Sequence, residues 1–224
     1  MSVSEGTYLQ VVLEDPDGKW ELHCGQLRSK PAMTWEHNRI AWRLGFRLQE
    51  QLDVEHFEVR VDAGRLRWSE SQYYVPDVIV IPTDVAARLF TDPGILEAYP
   101  VPLPLVVEVW SPSTGRDDLR EKLPAYQARG DAEIWFIQPY ERWIRIWRRQ
   151  PDGSYTEMVL RGGGRSAGRA AECHHRPGRA AQPVGASVTE PALRPTSRIR
   201  LDHAKDRLLL CRPSWIRKSS ADSA

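Results

Sequence analysis

Cysteine is scarce in this 224-residue chain: Cys24, Cys173 and Cys211, an odd number with no CxxC pair. That argues against a disulfide framework and favours reduced thiols in a cytoplasmic protein. No apolar run approaches the roughly 18–20 residues that cross a bilayer, so no membrane association is expected. The opening, MSVSEGTYLQVVLEDPDG, has neither the basic start nor the long apolar stretch of a secretory leader. Glycine-rich phosphate loops are missing as well. Neither GxGxxG nor a Walker pattern occurs, which argues against a doubly wound nucleotide fold.

Net charge is nearly absent, at +1, but this conceals an asymmetry. Of the 31 basic and 30 acidic residues, 12 and 5 respectively fall in 165–224, so the tail carries seven surplus positive charges. The preceding residues carry six surplus negative charges. After RGGG (161–164) periodicity also ends, and the text becomes rich in Arg, Ala, Pro and Gly. Such composition cannot bury a core, so 165–224 reads as a basic, disordered tail. A frameshift in a GC-rich gene would produce the same text. ECHH (172–175) supplies an incomplete zinc set and is not read as a metal site.

What remains is apolar enough for a core: 41% hydrophobic and 27% charged residues suit a globular domain. The organisation expected is a lead-in at 1–18, a folded domain at 19–164, and the tail. WELHCGQLRSKP (20–31) reads as two short strands around a turn at Gly25. In 33–52, Ile40, Leu44, Leu48 and Leu52 recur every four residues, which predicts an amphipathic helix with Thr34 as N-cap. His37 stands where an acid would complete a capping box. Strands follow at 55–68, turning near Asp62–Gly64, at 73–82 and at 104–110. A helix at 118–130, closed by Gly130 and disturbed by Pro124, precedes a hairpin at 132–149 and one more strand. This order predicts an α/β domain with a mixed central sheet flanked by helices.

Two strands contain an acid among apolar neighbours: Asp77 in VPDVIVIP and Glu108 in LVVEVW. A buried, unpaired carboxylate costs several kcal/mol, on the order of a broken buried ion pair. Each acid alone has a bland reading, Asp77 as a strand-end residue and Glu108 as a salt-bridge partner. Together they suggest a site for a hard divalent cation, since Mg²⁺ takes one or two carboxylates plus water and substrate phosphate. Lys122 lies across the SPSTGRDD turn (111–118), on a helix that would return it to Glu108. Asp118, four residues earlier, would orient its ammonium. Alone, these two are ordinary surface charges; order, spacing and apolar context make the set specific. A second cluster, Arg142, Arg145, Arg148 and Arg149 with Trp143 and Trp147, reads as sheet packing before it reads as a nucleic-acid grip.

PDVIVI, LVVEVWSPST and DLREKLPAYQARGDAEIWFIQP together resemble the PD-(D/E)XK restriction-endonuclease-like superfamily, and within it the Uma-type family. WELHCGQL resembles that family's opening motif and EHNRIAWRL its first helix, so the likeness runs from Trp20 to Gly164. It implies a four-stranded mixed sheet flanked by helices and Mg²⁺-dependent (or Mn²⁺-dependent) hydrolysis of DNA phosphodiesters. Asp77 and Glu108 would be the metal-binding catalytic acids, Lys122 the catalytic lysine, and Asp118 and Glu21 supporting residues. Position 110, where a plain ExK motif has its lysine, is Trp. Gln138 stands where the family commonly shows an acid, a departure expected to affect a turn rather than catalysis. Cutting both strands favours a homodimer. The competing readings are an idle nuclease scaffold that binds nucleic acid or protein, and an inactive frameshifted product.

Overall fold

The computed structural model describes residues 2–89, 94–112, 118–162, 200–202 and 207–209. The chain divides into two units, Met1–Gly162 and Gly163–Ala224. In the second, the described residues form one antiparallel strand pair, Arg200–Asp202 with Arg207–Leu209. The ECHH run and most of the expected tail lie outside the described residues, as does the centre of the SPSTGRDD turn.

The lead-in is not bare chain. Helix α1 (Glu5–Glu14) starts at Ser4, whose hydroxyl accepts the Thr7 N–H at 3.1 Å. It buries only Tyr8 and Val12, one helical turn apart, against Leu22 and Tyr73. So thin an apolar stripe leaves almost no periodic signal, which is why the sequence pattern passes over it.

Strands β1 (Trp20–His23) and β2 (Gln26–Ser29) form the expected hairpin. Cys24 and Gly25 both have positive φ, 49° and 79°, as a two-residue primed turn requires. Helix α2 (Trp35–Gln49) buries His37, Ile40, Ala41, Leu44, Gly45 and Leu48. Next come β3 (Phe57–Val61), β4 (Arg65–Ser69), β5 (Gln72–Tyr74) and β6 (Val78–Pro82), then a short α3 (Thr83–Ala86), β7 (Ala98–Tyr99) and β8 (Leu105–Val109). A π-helical turn, Asp118–Lys122, runs into α4 (Leu123–Arg129). The domain closes with β9 (Glu133–Gln138), β10 (Trp143–Arg149) and β11 (Tyr155–Arg161).

The sheet is larger than the four strands implied by the resemblance. Six strands lie in the order β11-β10-β9-β8-β6-β3, with β8 and β9 parallel and the other pairs antiparallel. A second, five-stranded sheet has the order β2-β1-β5-β4-β7. β6, β8 and β9 are nearly continuous apolar runs because they lie inside the sheet and are covered on both faces. The main core gathers Ile79, Ile81, Val106 and Ile134 from the six-stranded sheet with Ala125 and Tyr126 of α4 and Leu66, Tyr74 and Tyr99 of the second sheet.

Pro124 disturbs the expected helix only at its start, where 118–122 form a π-helical turn. It sits in the first turn of α4, where a missing N–H costs nothing, and the wider π-helical turn before it absorbs the ring. Gly130, at φ 86°, ends α4 with N–H bonds from Gly130 to Gln127 O and from Asp131 to Tyr126 O.

Candidate active site

β6 and β8 are antiparallel neighbours, with Val78 opposite Val107. Asp77 therefore stands one step before β6, beside the last residues of β8. Its N–H donates to Val107 O at 3.1 Å, while its carboxylate Oδ2 accepts the Val109 N–H at 2.6 Å. Pro76 has no N–H and the ladder ends there, so the Asp77 side chain takes over a backbone donor of β8. The two acids consequently meet at one end of the central strands. Both are 1% exposed.

Four further segments close over them. Glu21, from β1, accepts the Val75 N–H at 2.8 Å and the Lys122 ammonium at 2.9 Å on Oε1. Lys122 also lies 3.4 Å from Glu108 Oε1, the oxygen that accepts the Tyr126 hydroxyl at 2.6 Å. Lys122 therefore lies beside Glu108, as its spacing suggested. Asp118 belongs to the same π-helical turn, but its side chain lies outside what is described.

Two side-chain partners of Asp77 were not anticipated. Lys30, just past β2, donates to Asp77 Oδ1 at 2.5 Å, to Asp62 Oδ1 at 3.0 Å and to Val75 O at 3.1 Å. His37 reaches Asp77 Oδ2 with Nε2 at 3.0 Å. Its backbone N–H meanwhile takes the Thr34 cap at 3.3 Å, so the residue that seemed to spoil a capping box serves the site with its side chain. A signal existed for His37, since it shares the buried face with Ile40, Ala41, Leu44 and Leu48. None existed for Lys30, a lysine beside a proline at a strand end. His23 was missed too; it links Glu21 Oε2 at 2.7 Å to Glu121 Oε2 at 2.8 Å.

Electrostatics follow from these contacts. Burial would raise the Glu21 pKa, but the Lys122 charge and hydrogen bonds from His23, Val75 and Lys122 outweigh it and lower it to about 2. Burial likewise opposes ionisation of Asp77, yet Lys30 and His37 hold its carboxyl well below the usual range. His37 is raised in turn: burial disfavours its charge, and the Asp77 carboxylate more than compensates. The lysine and histidine contacts thus offset the cost of burying the Asp77 and Glu21 carboxylates.

The arginine–tryptophan cluster belongs to sheet packing. Trp147 lies in the core, edge-on to Phe136 at 5.5 Å, and Arg148 Nε binds buried Glu133 at 2.8 Å. Gln138 is buried, and its Oε1 accepts the Tyr140 N–H at 3.1 Å within the turn that follows β9.

The family model Uma2, described as a putative restriction endonuclease, matches residues 6–171. The chain belongs to the Uma2 family. Among solved structures, this Uma2 chain is similar to a "putative nuclease belonging to DUF820" from Anabaena variabilis, at 17% identity and a TM-score of 0.55. That likeness covers 68% of this chain and 83% of the other, and it concerns the fold. No curated protein matches the sequence. Among the described residues, no helix is long and apolar enough to cross a membrane.

Proposed function

We propose that this Uma2 protein is a Mg²⁺- or Mn²⁺-dependent endonuclease that hydrolyses DNA phosphodiester bonds, with Asp77 and Glu108 as metal-binding acids and Lys122 as the catalytic lysine. The observation carrying this reading is the convergence of Glu21, Asp77, Glu108 and Lys122, from four separate segments, on one buried end of the central strands.

The donor set suits a hard cation. Asp77 and Glu108 offer only carboxylate oxygen, on neighbouring strands. Among the described residues no group of three or more His, Cys, Asp or Glu side chains is gathered closely enough to hold a metal unaided. Water and a substrate phosphate would complete the shell, as is usual for Mg²⁺. The ion would supply Lewis-acid stabilisation of phosphoryl charge.

The remaining work falls to the chain. The Tyr126 hydroxyl fixes one oxygen of Glu108, and His37 with the Val109 N–H fixes one oxygen of Asp77. Lys122, steadied by Glu21, presents a donor toward the charge that develops as the phosphodiester is attacked. A homodimer would provide the two sites that double-strand cleavage needs, and a cytoplasmic setting would give access to DNA.

The test is cleavage of supercoiled plasmid with Mg²⁺ or Mn²⁺ by the wild-type chain, Glu108→Gln and Lys122→Met. Loss of at least about 10³-fold in both folded variants is expected, on the scale of a removed electrostatic contact in a catalytic site. Full activity in Glu108→Gln would sink the assignment. An idle scaffold is the second reading, favoured by the commitment of Asp77 to Lys30, His37 and Val109. EDTA-insensitive DNA binding without cleavage would establish it.

A further inference from the structure

Lys30 has a buried ammonium, its side chain only 4% exposed, and three acceptors for three protons. Such a group is costly to bury and persists only when fully paired. Its place decides what it does. Asp77 Oδ2 already accepts from His37 and from the Val109 N–H, which leaves Oδ1 as the oxygen with capacity for a further cation. Lys30 sits on Oδ1 at 2.5 Å. Its charge also acts on Glu108, so it lies in the field of both proposed metal-binding acids.

The other end of its reach is a second carboxylate. Asp62 follows β3 with a positive φ of 54°, is partly exposed, and is anchored by Lys19 at 2.6 Å and by its own N–H to Asp77 O at 2.8 Å. Asp62 therefore offers Lys30 a second carboxylate at the rim. A flexible four-carbon stem can redistribute its ammonium between the two acids.

We propose that Lys30 is a resident cation on Asp77 that competes with the divalent ion, yielding Oδ1 by withdrawing onto Asp62. This rests on the nuclease reading for the identity of the site. Removing Lys30 would then tighten metal binding. Removing Asp62 would weaken it, but only while Lys30 is present.

The experiment is calorimetric titration of Mn²⁺ into the full chain, with fold checked by circular dichroism. The proteins are wild type, Lys30→Met, Asp62→Asn, the double variant, and Lys19→Met as a nearby charge control. The expected result is a Kd at least about tenfold lower in Lys30→Met, which is about 1.4 kcal/mol. Asp62→Asn should raise Kd severalfold in the wild-type background and leave it unchanged in the Lys30→Met background. Lys19→Met should shift it less than Lys30→Met. An unchanged or higher Kd in folded Lys30→Met overturns the proposal, as does an Asp62→Asn effect equal in both backgrounds. If Lys30→Met does not fold, Lys30→Gln takes its place with the same expected direction. Wild-type binding with indifferent variants rejects the Lys30 role alone. Absence of Mn²⁺ binding throughout rejects both this role and the metal-dependent reading.

Discussion

Two of the buried-charge clusters among the described residues of the first unit are built differently. Arg129 and Asp131, at the end of α4, turn almost every donor and acceptor toward backbone. Arg129 Nη1 donates to Arg67 O at 2.6 Å and Tyr99 O at 2.9 Å, and Nη2 to Val101 O at 2.5 Å. Nε binds Asp131 at 3.1 Å, and Asp131 accepts the Leu103 N–H at 2.7 Å. The acids at Glu21, Asp77 and Glu108 face mainly side chains: Lys30, Lys122, His23, His37 and Tyr126. Charge spent on backbone groups staples loops and strands. Charge turned on other charge leaves side-chain partners that can be exchanged for a ligand.

The sharpest way to break this contrast is Arg129→Met. It leaves Asp131 and three backbone carbonyls without their donor, so a loss of about 3–5 kcal/mol is expected in urea unfolding. Burial already raises the Asp131 pKa despite Arg129, so neutralisation of that carboxyl will soften the loss. Mn²⁺ affinity of the folded variant should match wild type. A changed affinity would show that staple and site are one network.

The second test is acid. The folded-state pKa of Glu21 is lowered to about 2 from an ordinary 4.5. A depressed carboxyl contributes stability above its unfolded value and loses that contribution as pH falls through the folded one. Glu21 should therefore cost the fold on the order of 3 kcal/mol between about pH 4.5 and pH 2. Glu21→Gln should flatten that limb of the stability–pH curve. An unaltered limb would mean that the Lys122 contact does not favour the ionised form. Asp131 has the opposite sign, since its raised pKa makes acidification relieve a cost.

The comparison also explains what could be read in advance. Asp77 and Glu108 interrupt apolar strands, so their cost is visible in one dimension, and Lys122 follows at a distance that one turn and a returning helix can close. Fold class was legible for the same reason, from period-two and period-four apolar patterns. Lys30 and Arg129 interrupt nothing. Each is an ordinary basic residue at an element end, and only the strand order makes it buried. The second sheet is illegible for a similar reason: nothing in 55–82 indicates that β4 and β5 leave the sheet of β3 and β6 and lie between β1 and β7.

The smallest predicted effect concerns what holds Glu108. Tyr126 donates to Oε1 at 2.6 Å, and Lys122 lies 3.4 Å from the same atom. The shorter contact is a hydrogen bond to a charged acceptor, worth roughly 1.5–3 kcal/mol when formed, while Lys122 is shared with Glu21. Tyr126→Phe keeps the ring packed edge-on to Tyr74 and removes only the hydroxyl. Because Lys122 remains to partner the carboxylate, the expected loss is about 1–2 kcal/mol, read from urea unfolding. Since both donors use one oxygen, the Tyr126→Phe and Lys122→Met losses should not add, and their double-mutant cycle should show a coupling of about 0.5 kcal/mol or more. Strict additivity would mean that Lys122 serves Glu21 alone, and the lysine would then belong with the staples rather than with the exchangeable charges.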